Sequence, residues 1–223
     1  MKTIIKIVGI IVIIILIQSC KKEVDNVIKD IDGNVYTSVS IGTQVWMVEN
    51  LKTTKYNDST AIPLVTDSVA WDSISTSAYC WYNNDAAVYK SIYGALYNWY
   101  AVNADKLCPN GWHVPSSDEW TTLTTSLGGD SIAAGKLKET GTTHWATPNT
   151  GATNSTGFTA LPGGMRGGYG SFYYFGYLGS WWSSSKYSAA TAIPRYIEYS
   201  DTYVDRDIQM RSAGMSVRCL KDN

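Results

Sequence analysis

Four cysteines, two histidines and a run of aspartates are the side chains of this chain whose chemistry can reach beyond packing. Cys20 directly follows an apolar run from Ile7 to Ile17 and the small residue Ser19, the place where a secretory signal ends. Cys80, Cys108 and Cys219 form no Cys-x-x-Cys motif, and in an exported chain they favour a structural disulfide. Should two of them be bridged, the one thiol left cannot reproduce a reactive pair. His113 and His144 have no partners at the spacing of a zinc site or a nucleophilic triad and read as structural. Asp201, Asp205 and Asp207 have Arg206 among them and lack the ligand spacing of a calcium loop, so they read as a solvated turn. The expectation is no catalytic set, no metal centre and no cofactor.

A different chemistry is offered by the segment Tyr169 to Trp182, which gathers flat, partly polar rings into one Gly-rich stretch. Such rings stack on the apolar face of a sugar while neighbouring Asn, Ser and Thr hydrogen-bond its hydroxyls. Tyr173, Tyr174, Tyr177 and Trp181 are the ligand-binding candidates, because an alternating strand would leave some rings outside. The same segment admits a second reading, in which Phe172, Phe175 and Trp182 plug the core and the glycines are turns. Across the chain, 9 Trp and 16 Tyr stand against 3 Phe, a bias toward rings with a polar tip and toward a loop-rich extracytoplasmic module.

The N-terminus tells where such a module works. Met1 and Lys2 open a basic start, and the apolar run from Ile7 to Ile17 is 11 residues long, short of the roughly 20 that a spanning helix needs. Ile17-Gln18-Ser19-Cys20 resembles a bacterial lipobox, which implies cleavage before Cys20 and diacylglycerol on its thiol. Residues 1–19 are therefore expected to be a lipoprotein signal peptide and residues 20–29 a tether, with Lys21, Lys22, Glu23 and Asp25 resembling an export signal to the outer face of the cell. Stable anchoring needs more than one acyl chain, which a lipidated cysteine supplies. The expected location is the outer membrane or cell surface, with the bilayer as partner through the lipid anchor. Without Lys2 and Lys6, 16 basic residues face 19 acidic ones, a formal charge of −3, and no basic face for nucleic acid is expected.

The elements that must position these residues follow from periodicity and turn chemistry. Asp32-Gly33-Asn34 turns into a strand from Val35 to Ile41, and Gly42-Thr43 returns it as Gln44 to Glu49, an N-terminal hairpin. Residues 53–77 read as irregular surface. Spacings near 3, 4 and 7 among Tyr93, Leu96, Tyr97 and Tyr100 predict a helix over 92–105. A second helix begins at Ser116, whose hydroxyl caps it while Glu119 reaches back, and stops at Gly128-Gly129. After Gly129 the chain reads as loop, then as strands at Pro194 to Tyr199, Asp207 to Met210 and Met215 to Leu220. Helices early and paired strands late point to an α+β domain with a long loop region inserted.

Tyr93-Gly94-Ala95-Leu96-Tyr97-Asn98-Trp99-Tyr100, then Leu107-Cys108-Pro109-Asn110-Gly111-Trp112-His113-Val114-Pro115-Ser116 with Glu119-Trp120, resemble the signature of the Fibrobacter succinogenes major paralogous domain. The resemblance extends from Gln44-Val45-Trp46-Met47 through Gly157-Phe158, Leu161-Pro162-Gly163-Gly164 and Trp182-Ser183-Ser184 to Gly214-Met215-Ser216-Val217-Arg218-Cys219, so residues 30–223 are taken as one such domain. The family occurs in secreted and lipoprotein chains. Its resemblance to the C-type-lectin-like fold of formylglycine-generating enzymes implies two helices and a twisted antiparallel sheet. It also implies a bridge from a helix-side segment to the last strand, hence Cys108 to Cys219, with Cys80 to Cys108 as the rival pairing.

Two lectin-like implications lack their residues: Thr147-Pro148-Asn149 has no carboxylate, and no Trp-Asn-Asp follows it. The function expected is noncatalytic binding of a glycan, a peptide or an envelope protein. The alternatives are an enzyme of the formylglycine-generating type and a purely structural envelope component.

Overall fold

The computed structural model describes residues 27–222, so residues 1–19, where a signal peptide is expected, and Cys20 lie outside the described residues. The chain is α+β with mostly antiparallel sheets and five helices among the described residues: α1 Ser68–Asp72, α2 Ala86–Tyr93, α3 Trp99–Val102, α4 Ser117–Ser126 and α5 Asp130–Leu137. A two-stranded ribbon pairs Ile28–Lys29 with Val35–Tyr36. The first larger sheet runs in the order Ser38–Ile41, Gln44–Met47, Leu220–Lys221, Trp112–His113. A second runs Tyr79–Cys80, Leu96–Asn98, Gly214–Met215, Met165–Arg166, Phe172–Tyr173. The third is built on the long hairpin Leu178–Lys186 with Thr191–Glu198, extended by Val204–Arg206 and Gln209–Met210.

The C-terminal segment sews these sheets together. Gly214 and Met215 pair with Asn98 and Tyr97, Ser216 bridges to Trp181, and Leu220 pairs with both Trp46 and His113. The Cys108–Cys219 disulfide joins this segment to the turn that precedes α4, and Cys80 is a buried free thiol.

The N-terminal hairpin forms in the expected register, with Ile41 opposite Gln44 across Gly42-Thr43. Helix α4 also forms as expected, Ser116 accepting from the Glu119 amide while the Glu119 carboxylate accepts from the Ser116 amide. The helix expected over 92–105 does not exist as one element. Gly94, at φ 75°, ends α2, Leu96–Asn98 is a strand, and Asn98 caps the short α3 through the Ala101 amide. A side chain at 94 would lie 2.7 Å from the Leu51 carbonyl oxygen, so both the left-handed backbone and the close approach require glycine there. Helix α1 falls in the segment read as irregular, and α5 in the segment read as loop. The long strand Leu178–Lys186 begins inside the expected loop region. Late strands shift to Thr191–Glu198, Val204–Arg206, Gln209–Met210, Gly214–Met215 and Leu220–Lys221. Pro194 is tolerated inside a strand because the outer partner changes there, from Gln209–Met210 to Val204–Arg206.

Large rings fill the core. Trp46, Trp120, Phe158 and Trp181 pack at centroid distances of 4.8 to 6.4 Å. Buried cations bind the loops around them. Arg218 lies over the Phe158 ring at 4.1 Å and donates to Asn50 and to the carbonyls of Phe158 and Thr159. Arg166 donates to the carbonyls of Val65, Thr66, Asp67 and Gly170. A chain with so much irregular backbone leaves carbonyls without ladder partners, and a multi-donor side chain satisfies several at once.

Candidate functional site

The aromatic segment divides by direction. Phe172 and Phe175 turn inward onto Tyr82, at 5.2 and 5.0 Å. Trp182 is fully buried, its indole donating to the Tyr97 carbonyl. Tyr173, Tyr174 and Tyr177 point outward, 44%, 60% and 53% exposed. The inward rings are core, as the second reading had it, and the outward ones are exposed at the surface.

Trp181 has to be corrected. It is completely buried between Trp120 and Phe158, with its indole N–H donating to Asn50 Oδ1 at 2.8 Å, and it cannot face a ligand. The alternation expected to expose it fails because the strand from Leu178 to Ser183 is covered on both faces.

The outward tyrosines sit on a built turn. Strand Phe172–Tyr173 ends at Tyr174, which adopts φ 61°, a left-handed conformation uncommon for a bulky residue. Its carbonyl accepts from the amides of both Tyr177 and Leu178, each at 3.0 Å, and Gly176 supplies a second positive φ. The turn is clamped from behind, with the Gly176 amide on the Pro162 carbonyl and the Ala146 amide on the Gly176 carbonyl. Strain held by so many bonds marks a position whose geometry is over-determined. Tyr173 and Tyr174 rings lie 5.9 Å apart at 37°, and Tyr177 meets Tyr199 edge-on at 5.2 Å and 90°. Beside them opens a pocket of about 240 Å³ lined by Tyr174, Tyr177, Leu178, Glu198 and Tyr199. Glu198 and Tyr199 were missed from the sequence. The register of the long hairpin places Glu198 opposite Leu178, and no local pattern carries that pairing.

A second hollow, about 830 Å³, crosses the outer side of the first sheet. Val45, Trp112 and Lys221 line it together with the Ile28–Lys29 ribbon and the turn at Pro109. Its parts come from both ends of the chain.

The titratable groups elsewhere make structural pairs. His113 bridges Asp222 through Nδ1 at 2.6 Å and Glu119 through Nε2 at 2.9 Å. Burial pulls the His113 imidazole down, but the two carboxylates outweigh it and hold the ring above its ordinary value. His144 Nδ1 contacts the Glu139 carboxylate at 2.8 Å and its ring meets Tyr93 edge-on. Among the described residues no three His, Cys, Asp or Glu side chains gather to hold a metal ion. Asp201 and Asp207 accept from the amides of Tyr203 and Ile208, local turn bonds. Asn149 donates to the carbonyls of Glu139 and Gly141. Burial pushes the Cys80 thiol up to about 12, which leaves it a poor nucleophile. No helix among the described residues is long and apolar enough to cross a membrane.

The family model of the Fibrobacter succinogenes major domain matches residues 39–221. No curated protein and no solved structure matches the chain. The matched stretch holds α1 to α5, the three larger sheets except Ser38, both cysteines of the disulfide and the tyrosine turn. On that extent, the chain belongs to the Fibrobacter succinogenes major domain family.

Proposed function

We propose that this chain is a lipid-anchored protein of the outer membrane or cell surface, and that its domain binds a glycan without catalysis on the ridge formed by Tyr173, Tyr174 and Tyr177. The observation that carries the reading is the left-handed Tyr174 turn, which holds three exposed rings in place at a conformational penalty and positions a pocket beside them. Tyrosine suits such a surface, since its flat face stacks on sugar C–H groups and its hydroxyl shares their hydrogen bonds. The C-type-lectin-like architecture is part of this proposal, without the calcium site of sugar-binding lectins. Formylglycine-type chemistry is disfavoured, because Cys108 and Cys219 are bridged and Cys80, the one free thiol among the described residues, is buried.

Two measurements test the reading. A glycan array probed with residues 20–223 should return ligands whose signal falls at least tenfold in a Tyr173→Ala/Tyr177→Ala variant with an unchanged melting transition. An array without ligands, or binding indifferent to these rings, refutes the site. For the anchor, mass spectrometry of the mature N-terminal peptide should find diacylglycerol on Cys20, and Cys20→Ala should accumulate unprocessed precursor. A mature terminus elsewhere without lipid removes the localisation.

A further inference from the structure

The pocket beside the ridge has the shape of a corner, not of a platform. Tyr177 and Tyr199 stand at 90° to each other with centroids 5.2 Å apart, Tyr174 adds a third wall and Leu178 is among the lining side chains. A neutral pyranose stacks best on one open ring face. Three tyrosine rings lining one small volume instead suit a compact cation, which is attracted by the negative face of a ring within about 6 Å. Glu198 lines the same pocket, is exposed, and forms no salt bridge among the described residues.

The neighbouring cation does not neutralise this corner through the Glu198 side chain. Lys138 is buried, and its ammonium donates to the backbone carbonyls of Glu198 and Asp201, at 3.0 and 2.8 Å, while lying over the Trp145 ring. Its charge is thus engaged with main-chain oxygens, and the side chain of Glu198, which lines the pocket, makes no salt bridge among the described residues.

We infer that Tyr174, Tyr177, Tyr199 and Glu198 form a cage for a primary ammonium, so that the glycan bound on the ridge is one bearing free amino groups, of the deacetylated glucosamine type. This rests on the glycan reading of the same site and names the chemical class it selects. The ammonium enters the corner and pairs with Glu198, and the adjoining sugar rings lie along Tyr173 and Tyr174. An N-acetyl group at the same position carries no charge and adds bulk to a pocket of about 240 Å³.

Isothermal titration at about pH 6, between the carboxylate and amine ranges, tests this with glucosamine hexamer against N-acetylglucosamine hexamer. The expected result is about tenfold tighter binding of the amino hexamer. Glu198→Gln and Tyr199→Leu should each reduce that preference, with melting transitions like the wild type. Equal affinities, or preference for the acetylated hexamer, overturn the cage and leave the glycan site standing. Binding of neither hexamer, including the case in which a tetralysine peptide is captured through the same residues, overturns the amino-glycan ligand, while the glycan reading stands or falls separately on the array.

Discussion

Tyr177 and Trp181 lie four positions apart in one Gly-rich aromatic stretch, yet one is 53% exposed and the other fully buried. Composition says only that such rings are present, and their direction depends on a hairpin whose partner strand begins at Thr191. Tyr173, Tyr174 and Tyr177 were legible as a surface set, whereas Trp181 was not, because its burial comes from Trp120 and Phe158, far away in sequence. The division predicts a sharp contrast in urea unfolding. Trp181→Ala should lose about 3–5 kcal/mol through the cavity it opens among large rings. Tyr173→Ala and Tyr177→Ala should stay within about 0.5 kcal/mol of the wild type, as exposed substitutions do. Tyr174→Asn should hold or raise stability, since Asn tolerates the left-handed backbone better than an aromatic residue. A mild Trp181→Ala variant would show that this ring is not a core element.

At the scale of elements, chemistry written in adjacent residues was readable and packing written across the chain was not. The Ser116 and Glu119 capping box announces α4 because both partners lie within one turn. Helix α5 escaped notice because its Gly135, which reads as a breaker, is there for close approach. A Cβ at that position would lie 2.6 Å from the Gly151 carbonyl oxygen. The false helix over 92–105 arose from aromatic spacing that equally serves a helix, a strand and a second helix turned by Gly94.

Glu119 also joins α4 to the chain terminus through His113, which bonds Asp222 as well. The sign of its pH dependence follows from the raised His113 value: the added stability is complete below the ordinary histidine value and disappears as pH rises through the folded one. Burial raises the Glu119 carboxyl, but bonds from Ser116 and His113 outweigh it, so its contribution is lost only toward acid. His113→Gln should therefore cost about 1 kcal/mol near pH 6 and progressively less in alkaline buffer. Thermal melts of both proteins across that range check it, and a difference that grows with pH would contradict the arrangement.

For the whole molecule, the segment from Gly214 to Lys221 carries the connectivity that the sequence could not display: it pairs with strands drawn from four separate regions and holds one half of the disulfide. The Cys108–Cys219 pairing was legible only through family resemblance, since three cysteines alone allow three pairings. Cysteines 108 and 219 are separated by 111 residues, so the bridge closes most of the domain into one loop. In the chain-entropy account such a loop stabilises the folded state by about 4–5 kcal/mol. A Cys108→Ala/Cys219→Ala variant should lose stability of that order in urea unfolding and fray first at the C-terminal seam, where hydrogen exchange of the Leu220 and Trp46 amides should speed up. The third thiol provides an internal gauge of integrity. Cys80 is fully buried, and burial pushes it up to about 12, so a thiol reagent should find no reactive group in the native domain of residues 30–223 and one per domain in denaturant. Three reactive thiols in denatured, unreduced protein would mean that the bridge does not form, and rapid labelling of one thiol before unfolding would mean that the sheet covering Cys80 opens on its own.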